Sequence, residues 1–163
     1  MKKPLKNIRK QTNNLLLFCN LCYNYIGDSM QVNISNYNDT DYKQVYDIIN
    51  ESFNYEKKLV KNPSVFEFVA KIDDVIVGYF NIHEELDVIR NIKIYHLGYV
   101  CVRKEYRSQG IGRKMVEYAI NFSKENNATR IELTSCNNRE IAHKLYLSLG
   151  FEKRDSAIFR KEL

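Results

Sequence analysis

The chain has 163 residues, of which 44% are hydrophobic and 28% charged, so it is long enough for one globular domain with a sizeable core. The formal charge of +5 belongs to the start of the chain, because residues 1–29 hold five basic residues and one acidic residue, whereas the rest holds 20 basic and 19 acidic residues. This distribution argues against a nucleic-acid partner for the rest of the chain. No apolar stretch is long enough to cross a bilayer, so we expect no membrane partner either.

Residues 1–29 differ in composition from the remainder of the chain. A basic start leads into the apolar run 15–26, which has the outline of a secretory signal, but two asparagines interrupt the run and no cleavage site of small residues comes after it. A strand pattern then begins at Met30. We therefore expect one domain at residues 30–163. The extension before it is either an over-extended reading frame, with Met30 as the physiological start, or an amphipathic segment that packs on the domain.

Four cysteines are present: Cys19, Cys22, Cys101 and Cys136. The first two have C-x-x-C spacing, but no second cysteine or histidine pair supplies the other half of a zinc site, and the strand-to-helix context of a redox motif is missing. The sequence therefore predicts unpaired thiols, no bound metal and a cytoplasmic location, since the cytosol is reducing.

After the extension, the pattern predicts a strand and then helices. Val32 and Ile34 alternate with polar residues, as in a strand, and apolar residues from Val45 to Phe53 recur at helical spacing. A second short helix is expected over residues 55–61. Asn62-Pro63 ends it, because the residue before a proline avoids the helical conformation.

Three segments rich in β-branched and aromatic residues come next. Val65–Ile72 and residues 75–83 are joined by two aspartates, which is a hairpin signal, and Ile92–Val102 is the third strand. The polar residues 84–92 between the second and third strands are expected to form a loop.

The last third of the chain returns to helical spacing. Ile111, Met115, Ala119 and Phe122 fall on one helical face, and residues 130–134 then alternate as a strand.

A final helix carries apolar residues from Ile141 to Leu149 and has Gly150 at its expected C-terminal cap. Residues 151–153 and 157–161 are predicted to be short closing strands. Hairpins imply antiparallel pairs and strand–helix–strand units imply parallel ones, so the fold class is α/β with a mixed sheet.

The segment 107–112, Arg-Ser-Gln-Gly-Ile-Gly, lies between a predicted strand and a predicted helix. The first turn of a helix has N–H groups without intrahelical partners, and with the helix dipole they form an anion site. Gly110 and Gly112 remove side chains where a phosphate must approach the backbone, and Arg107 and Arg113 add positive charge. A diphosphate therefore suits this segment.

Two other phosphate-binding motifs do not match. The dinucleotide motif G-x-G-x-x-G requires a third glycine where this chain has Met115, and the P-loop pattern is missing. A tight loop that merely starts a helix would also explain the two glycines by themselves.

The pattern Arg/Gln-x-x-Gly-x-Gly/Ala, met by Arg107, Gly110 and Gly112, resembles the signature of the GNAT superfamily, the Gcn5-related N-acetyltransferases. Downstream, Ala142, Tyr146 and Gly150-Phe151 are similar to the family's A-x-x-x-Y-x-x-x-G-F ending. The resemblance is strong over residues 92–151 and extends, through the order of elements, to residues 30–163. It implies a twisted, mixed, mostly antiparallel sheet of six to seven strands with about four flanking helices. The fourth and fifth strands would be splayed apart.

The resemblance also implies acetyl-CoA as co-substrate. Backbone groups of Val100, Cys101 and Val102 would pair with the pantetheine arm, and an asparagine before the last helix, Asn138 or Asn137, would contact the cofactor. The amides of one loop would hold the pyrophosphate: Arg107, Ser108, Gln109, Gly110, Ile111, Gly112 and Arg113.

Tyr146 matches the family tyrosine that protonates the departing thiolate of coenzyme A, which is general acid catalysis. Its alternative role is simple packing, since it is one of 12 tyrosines. A backbone N–H of the fourth strand, at Val102, would meet the developing oxyanion.

The general base is less clear, because the strand His96–Val102 contains no carboxylate. His96 has a suitable pKa range and, by simple alternation, lies on the same strand face as Val100 and Val102. Glu84 and Glu85 are the other candidates. Cys101 has no base placed beside it by the sequence, so direct transfer to the amine is expected rather than an acyl-cysteine.

These features predict a cytoplasmic N-acetyltransferase, monomeric or homodimeric, that acetylates a primary amine of a small molecule or a peptide. A non-catalytic acyl-CoA sensor module is the alternative, which an intact Tyr146 disfavours. An RNA-associated module would rest on the charge of residues 1–29 alone. The sequence does not identify the amine.

Overall fold

The computed structural model describes residues 31–54, 56 and 58–163. Within them, five strands form one sheet in the order β1-β2-β3-β4-β5. The strands are β1 (Asn33–Asn36), β2 (Val65–Ile72), β3 (Val75–Asp87), β4 (Ile92–Val102) and β5 (Arg130–Glu132). The first four strands pair antiparallel, and β5 pairs parallel to β4, so the sheet is mixed as predicted.

Three α-helices accompany the sheet in this part of the chain: α1 (Tyr42–Phe53), α2 (Ile111–Glu125) and α3 (Glu140–Ser148). The apolar positions predicted for α2 are confirmed, because Ile111, Met115 and Ala119 are buried and Phe122 packs beside them. In α1 the buried residues Val45, Ile48 and Ile49 have the same helical spacing.

The sheet separates two apolar layers, because successive strand residues point to opposite faces. On the face that we call the α2 face, helix α2 covers Phe68, Phe80, Ile82, Tyr95 and Leu97. On the opposite face, which we call the α1 face, helix α1 covers Val69, Ile76, Tyr79 and Cys101.

Strand β4 contains a β-bulge that changes which residues face each helix. Gly98 pairs with Asn81 and Cys101 pairs with Tyr79, so two residues of β4 stand opposite the single residue between Tyr79 and Asn81. The first of the two, Tyr99, has a φ of 49°, in the left-handed region. The extra residue bends the strand. From that point onward, odd- and even-numbered residues exchange the faces of the sheet on which their side chains lie.

Strands β4 and β5 pair over three residues only. Ile94–His96 pair with Arg130–Glu132, while β4 continues to Val102. Residues 97–102 therefore have an edge without a strand partner in the described part of the chain. The splaying of the fourth and fifth strands that the family resemblance implies stays a prediction, because β5 itself ends at Glu132.

Two expectations about element number are wrong. The described residues form five strands rather than six to seven and three α-helices rather than about four. Residues 151–153 and 157–161 form no strand. Since β5 is only three residues long, it offers little backbone for further strands to pair with.

The predicted second helix at 55–61 is also not formed by its described members, residues 56 and 58–61, whereas residues 55 and 57 lie outside the described set. Helix α1 ends because Asn54 adopts a left-handed conformation with φ of 52°, and its N–H bonds to the Asn50 carbonyl. This turn directs the chain away from the helix axis.

The expected loop at 84–92 is shorter than predicted. Strand β3 continues to Asp87, which pairs with Ile92. The side chain of Asp87 accepts hydrogen bonds from the N–H groups of Ile89 and Arg90 at 3.1 and 3.0 Å, which closes a tight turn. The strand pairing at this exposed end of the hairpin was not predicted, because its residues are polar.

The hypotheses about Met30, the Cys19–Cys22 spacing and the extension 1–29 lie outside the described residues. The division into an extension and a domain at residues 30–163 stays a prediction. Among the helices that the structure describes, none combines the length and apolarity needed to span a bilayer.

Candidate active site

The loop between β4 and α2 has an unusual backbone. Ser108 has a φ of 62° and Gly110 a φ of 81°, both in the left-handed region. Gly110 is the N-cap residue of α2, and the cap lacks a side-chain hydrogen bond. A Cβ added at Gly110 would meet no atom within 4 Å, so the space in front of this residue is open.

The first turn of α2 therefore presents free donors to that open space. The first helical bond runs from the Lys114 N–H to the Gly110 carbonyl at 3.1 Å, so the N–H groups of residues 111–113 precede the intrahelical ladder. With the helix dipole they favour an anion. This arrangement fits the pyrophosphate of coenzyme A.

Gly112 lies next to the protein interior. A Cβ added there would lie 3.6 Å from Leu145 and 4.0 Å from Val102, which are ordinary packing distances, so a small side chain would fit without a clash. The open space therefore lies in front of Gly110 rather than Gly112. The role of Gly112 in phosphate binding stays a prediction.

Both arginines of the loop already have protein partners. Arg107 donates from Nε to the Val102 carbonyl at 2.9 Å and from Nη2 to Glu51 of α1 at 3.2 Å. Arg113 donates to the Ser148 hydroxyl at the end of α3 at 2.6 Å. Their charges remain close to the loop, but the contacts show that each side chain also ties the loop to a neighbouring helix.

The open edge of β4 carries the predicted oxyanion donor. The N–H of Arg103 donates to the Val77 carbonyl of β3 at 2.8 Å. Because backbone donors of neighbouring strand residues point to opposite sides, the N–H of Val102 points away from β3, toward the unpaired side. Val102 itself packs on the α2 face, as does Val100.

Cys101 lies on the α1 face and is buried. Its Sγ lies 3.5 Å from the Tyr79 carbonyl oxygen, and burial raises the pKa of the thiol to about 12. A thiol in this environment stays protonated near neutral pH and is a poor nucleophile.

Tyr146 lies on α3 and packs against the core of the α2 face. Its ring contacts Phe151 edge-on, with the centroids 5.7 Å apart. The predicted cap after it is confirmed, since Gly150 has a φ of 85° and the Phe151 N–H bonds to the Tyr146 carbonyl at 3.1 Å. Burial raises the pKa of the Tyr146 hydroxyl, and the Arg139 charge partly opposes this shift.

The two asparagines proposed to contact the cofactor precede α3. Asn137 and Asn138 are exposed residues of a turn, and Arg139 occupies the N-cap position of α3 without a capping side-chain hydrogen bond. The Arg139 guanidinium lies 4.7 Å from the centre of the Phe53 ring at the end of α1. The turn therefore lies outside the core, and no contact distinguishes Asn137 from Asn138.

The structure places the candidate bases on different faces of the sheet. His96 lies 2.7 Å from Glu85 and faces the ring of His83, which puts it on the α1 face. The expectation that His96 shares a face with Val100 and Val102 is wrong, because the bulge at Tyr99 reverses the alternation between them. Glu84 lies on the α2 face and is paired with Lys93 at 3.2 Å.

A pocket of about 210 Å³ opens on the α1 face, and we call it the α1-face pocket. Its floor is polar, because the Tyr79 hydroxyl donates to Glu67 at 2.6 Å and the Asn81 amide lies 3.5 Å from the same hydroxyl. The lining residues are Ile49, Leu59, Val60, Asn62, Val65, Glu67, Tyr79, Asn81 and Tyr99.

The floor of this pocket was not predicted from the sequence. Glu67 and Tyr79 occupy inward-facing positions, in the same alternation as the buried Val69, and a polar residue at such a position was the available signal. Among the described residues, no group of histidine, cysteine or acidic side chains is arranged to hold a metal ion.

Comparison with protein families matches residues 29–151 to the model described as "Acetyltransferase (GNAT) family". Among curated proteins, N-acetyltransferase 8B of Homo sapiens is 28% identical over 92 residues, which are 56% of this chain. The match spans 40% of the length of that relative.

Solved structures share the fold at low identity. An aminoglycoside acetyltransferase, meta-AAC0020 from an uncultured soil metagenomic sample, in complex with trehalose, has a TM-score of 0.72 and 16% identity, covering 83% of this chain and 98% of that chain. AAC(6')-Iy in complex with the bisubstrate analog CoA-S-monomethyl-acetylneamine has a TM-score of 0.70 and 14% identity, covering 82% of this chain and 99% of that chain.

Proposed function

The chain belongs to the acetyltransferase (GNAT) family, and we propose that it transfers the acetyl group of acetyl-CoA directly to a primary amine of a small molecule or peptide. One observation carries this proposal: the uncapped N-terminus of α2 lies at the end of the strand whose β5 side is unpaired. The first feature suits a diphosphate and the second suits an extended amide-containing arm.

In this proposal the loop binds the cofactor through its backbone. The amides from Arg107 to Arg113 hold the pyrophosphate, and the open space in front of Gly110 receives it. Val100 and Val102 offer backbone groups on the unpaired edge to the pantetheine arm, whereas the N–H of Cys101, which lies between them, points toward β3. Asn138, or Asn137, adds a side-chain contact from the turn before α3.

Tyr146 acts as the general acid. The amine forms a C–N bond to the acetyl carbon while the C–S bond breaks, and the departing thiolate takes the hydroxyl proton. The Tyr146 hydroxyl is protonated at neutral pH, as a general acid must be, and burial moves its pKa further upward. The N–H of Val102 stabilises the negative charge on the carbonyl oxygen during the attack.

The base that accepts the proton of the amine is proposed to be His96, supported by its contact with Glu85 at 2.7 Å. Glu84 is the second candidate and has less support, since its carboxylate is already paired with Lys93. Transfer is direct rather than through Cys101, because the buried thiol is held in its protonated form. A cytoplasmic location and a monomeric or homodimeric state complete the proposal.

The test uses the full chain, acetyl-CoA and a broad panel of primary amines, with release of the coenzyme A thiol as the measured quantity. Amine-dependent thiol release, together with an acetylated amine identified by mass spectrometry, is the expected result. Tight acetyl-CoA binding without thiol release for any amine would contradict transfer and favour the sensor module.

A further inference from the structure

We infer that the α1-face pocket binds the acceptor amine, and that it selects an amine with one positive charge on a small apolar group, through Glu67. This inference rests on the proposed acetyl transfer and names its acceptor class. Neither Glu67 nor the other polar residues of the pocket belong to the two sequence motifs that carry the family resemblance.

The walls and the size of the pocket favour a small apolar body. Ile49, Leu59, Val60 and Val65 form apolar walls from α1, β2 and the segment between them. The volume of about 210 Å³ is below the roughly 300–1,000 Å³ typical of sites for drug-sized ligands. A single ring or a short branched chain fits such a space, whereas a large polar sugar does not.

The floor carries one negative charge. Glu67 is the only acidic residue among the described residues that line the pocket. The Tyr79 hydroxyl donates its proton to Glu67 at 2.6 Å, so this hydrogen bond orients the carboxylate, and burial keeps the pKa of the phenol high. The remaining carboxylate lone pairs are available to accept from an ammonium group.

Because the pocket offers one carboxylate, it distinguishes amines by the number of positive charges that they carry. A single ammonium is compensated by Glu67, and the apolar body contacts the walls. A polycationic amine would pair one of its charges with Glu67, and its other charges would find no second carboxylate among the described lining residues. The pocket therefore disfavours polyamines and aminoglycosides as acceptors.

The pocket reaches the strand that carries the proposed chemistry. Tyr99 lines the pocket, and the next residue, Val100, packs on the α2 face beside the unpaired edge. Asn81 lies over the same point, because a Cβ added to Gly98 would collide with the Asn81 carboxamide oxygen. The pocket residue Tyr99 and the proposed oxyanion donor Val102 thus lie three residues apart on one strand.

The first experiment compares acceptors that differ in charge and in size. Wild-type protein is assayed by thiol release with phenethylamine and isoamylamine, with spermidine and neamine, and with dipeptide amides whose first residue is leucine or lysine. We expect kcat/KM for the apolar monoamines to exceed that for the polycations by about 10-fold or more. Preference for spermidine or neamine would overturn the inference. Preference for the leucine dipeptide amide would support selection by charge and size, and it would identify a peptide as the source of the acceptor amine.

The second experiment removes the charge. Glu67→Gln should raise KM for phenethylamine by about 10- to 100-fold, the value expected for a lost charge-assisted hydrogen bond. The KM for acetyl-CoA should stay unchanged. Glu125→Gln, an exposed carboxylate at the end of α2, is the matched control and should change neither constant. An unchanged amine KM in Glu67→Gln would overturn the assignment.

The third experiment narrows the pocket without touching the core. Val60 is 86% exposed, so Val60→Trp should leave the fold intact. It should raise KM for phenethylamine by about 10-fold and leave KM for ethylamine nearly unchanged. Equal effects on both amines would contradict a binding pocket at this place.

The outcomes separate the inference from the function on which it rests. If no amine releases thiol, the proposed transfer and the inference both fail. If amines are acetylated but Glu67→Gln and Val60→Trp leave amine KM values unchanged, transfer stands and the acceptor lies elsewhere. Unchanged acetyl-CoA affinity in both variants excludes misfolding as the cause of any altered amine KM.

Discussion

The cofactor loop and the α1-face pocket are built in different ways. The loop uses consecutive residues, 107–113, whose backbone conformation forms the binding surface. The pocket uses side chains from residues as distant in sequence as Ile49 and Tyr99. A backbone surface suits a ligand that stays the same, and a side-chain surface suits a ligand that differs between proteins. Changes in the loop should therefore affect acetyl-CoA with every amine, whereas changes in the pocket should affect particular amines.

The largest effect is expected for Gly110→Glu. This change introduces bulk and negative charge into the open space where the pyrophosphate is proposed to lie. We expect acetyl-CoA affinity to fall by about 100-fold or more, since juxtaposed like charges cost several kcal/mol. Isothermal titration calorimetry measures the loss.

Gly110→Ala is the control for backbone strain, because the φ of 81° disfavours any side chain. It should cost about 1 kcal/mol of folding free energy and reduce affinity far less than the glutamate. Wild-type affinity in Gly110→Glu would remove the loop from the binding site.

The second largest effect is expected for Tyr146→Phe. Loss of the general acid should lower kcat by about 100-fold or more, with little change in acetyl-CoA affinity. Tyr118→Phe is the matched control, because Tyr118 also packs against the core of the α2 face. Equal kcat values in both variants would leave Tyr146 with a packing role only.

The assignment of Tyr146 as the general acid also determines how kcat depends on pH in the alkaline range. Burial raises the pKa of Tyr146 above its ordinary value of 10.0, so its neutral form persists to higher pH. The hydroxyl should therefore remain a proton donor up to at least that value, and kcat should show no decline from this group below it. A decline centred lower, present in wild type and missing in Tyr146→Phe, would contradict the raised pKa and would still assign the titrating group to Tyr146.

A smaller effect is expected when the contact between helix α1 and the cofactor loop is weakened. Glu51 of α1 accepts from the Lys104 N–H at 2.9 Å and pairs with Arg107 at 3.2 Å. Glu51→Gln should lower acetyl-CoA affinity about fivefold, since a partly exposed ion pair contributes about 1 kcal/mol. Asp47→Asn, which removes an exposed pair on the same helix, is the control. A change confined to the amine KM would show that Glu51 serves the pocket instead.

The smallest effect is expected for Cys101→Ala. Direct transfer predicts that kcat changes by less than about threefold, because no acyl group passes through the thiol. In the native protein, iodoacetamide should label the exposed Cys136 and not the buried Cys101, as peptide mass mapping would show. Loss of turnover in a folded Cys101→Ala protein would revive an acyl-cysteine.

Sequence patterns predicted the parts of the fold that depend on neighbouring residues. The strands β2 and β4, the helix α2, the loop 107–112 and the cap at Gly150 are each encoded within a short window. The closing strands were wrong because a strand also requires a partner, and β5 provides only Arg130–Glu132. A propensity for extended structure does not supply that partner.

The candidate site was predicted in part for the same reason. The uncapped helix start followed from the spacing of Gly110 and Gly112, although the open space lies in front of Gly110 rather than Gly112. The face of His96 was wrong because a non-glycine residue, Tyr99, takes the left-handed conformation without a local sequence signal. Glu67 and Tyr79 meet only through the pairing of β2 with β3, and that register is not visible in either segment alone.

The bulge at Tyr99 could be lost without changing the rest of β4. Gly98 pairs with Asn81 and Cys101 pairs with Tyr79, so removing Tyr99 would leave Val100 as the single partner of Phe80 and restore a regular ladder. The side chains of Val100, Cys101 and Val102 would keep their faces, and the Val102 amide would still point away from β3. The loss would fall on the α1-face pocket, which Tyr99 lines. Related chains with one residue fewer at this point should therefore keep the unpaired edge and differ in the amine that they accept.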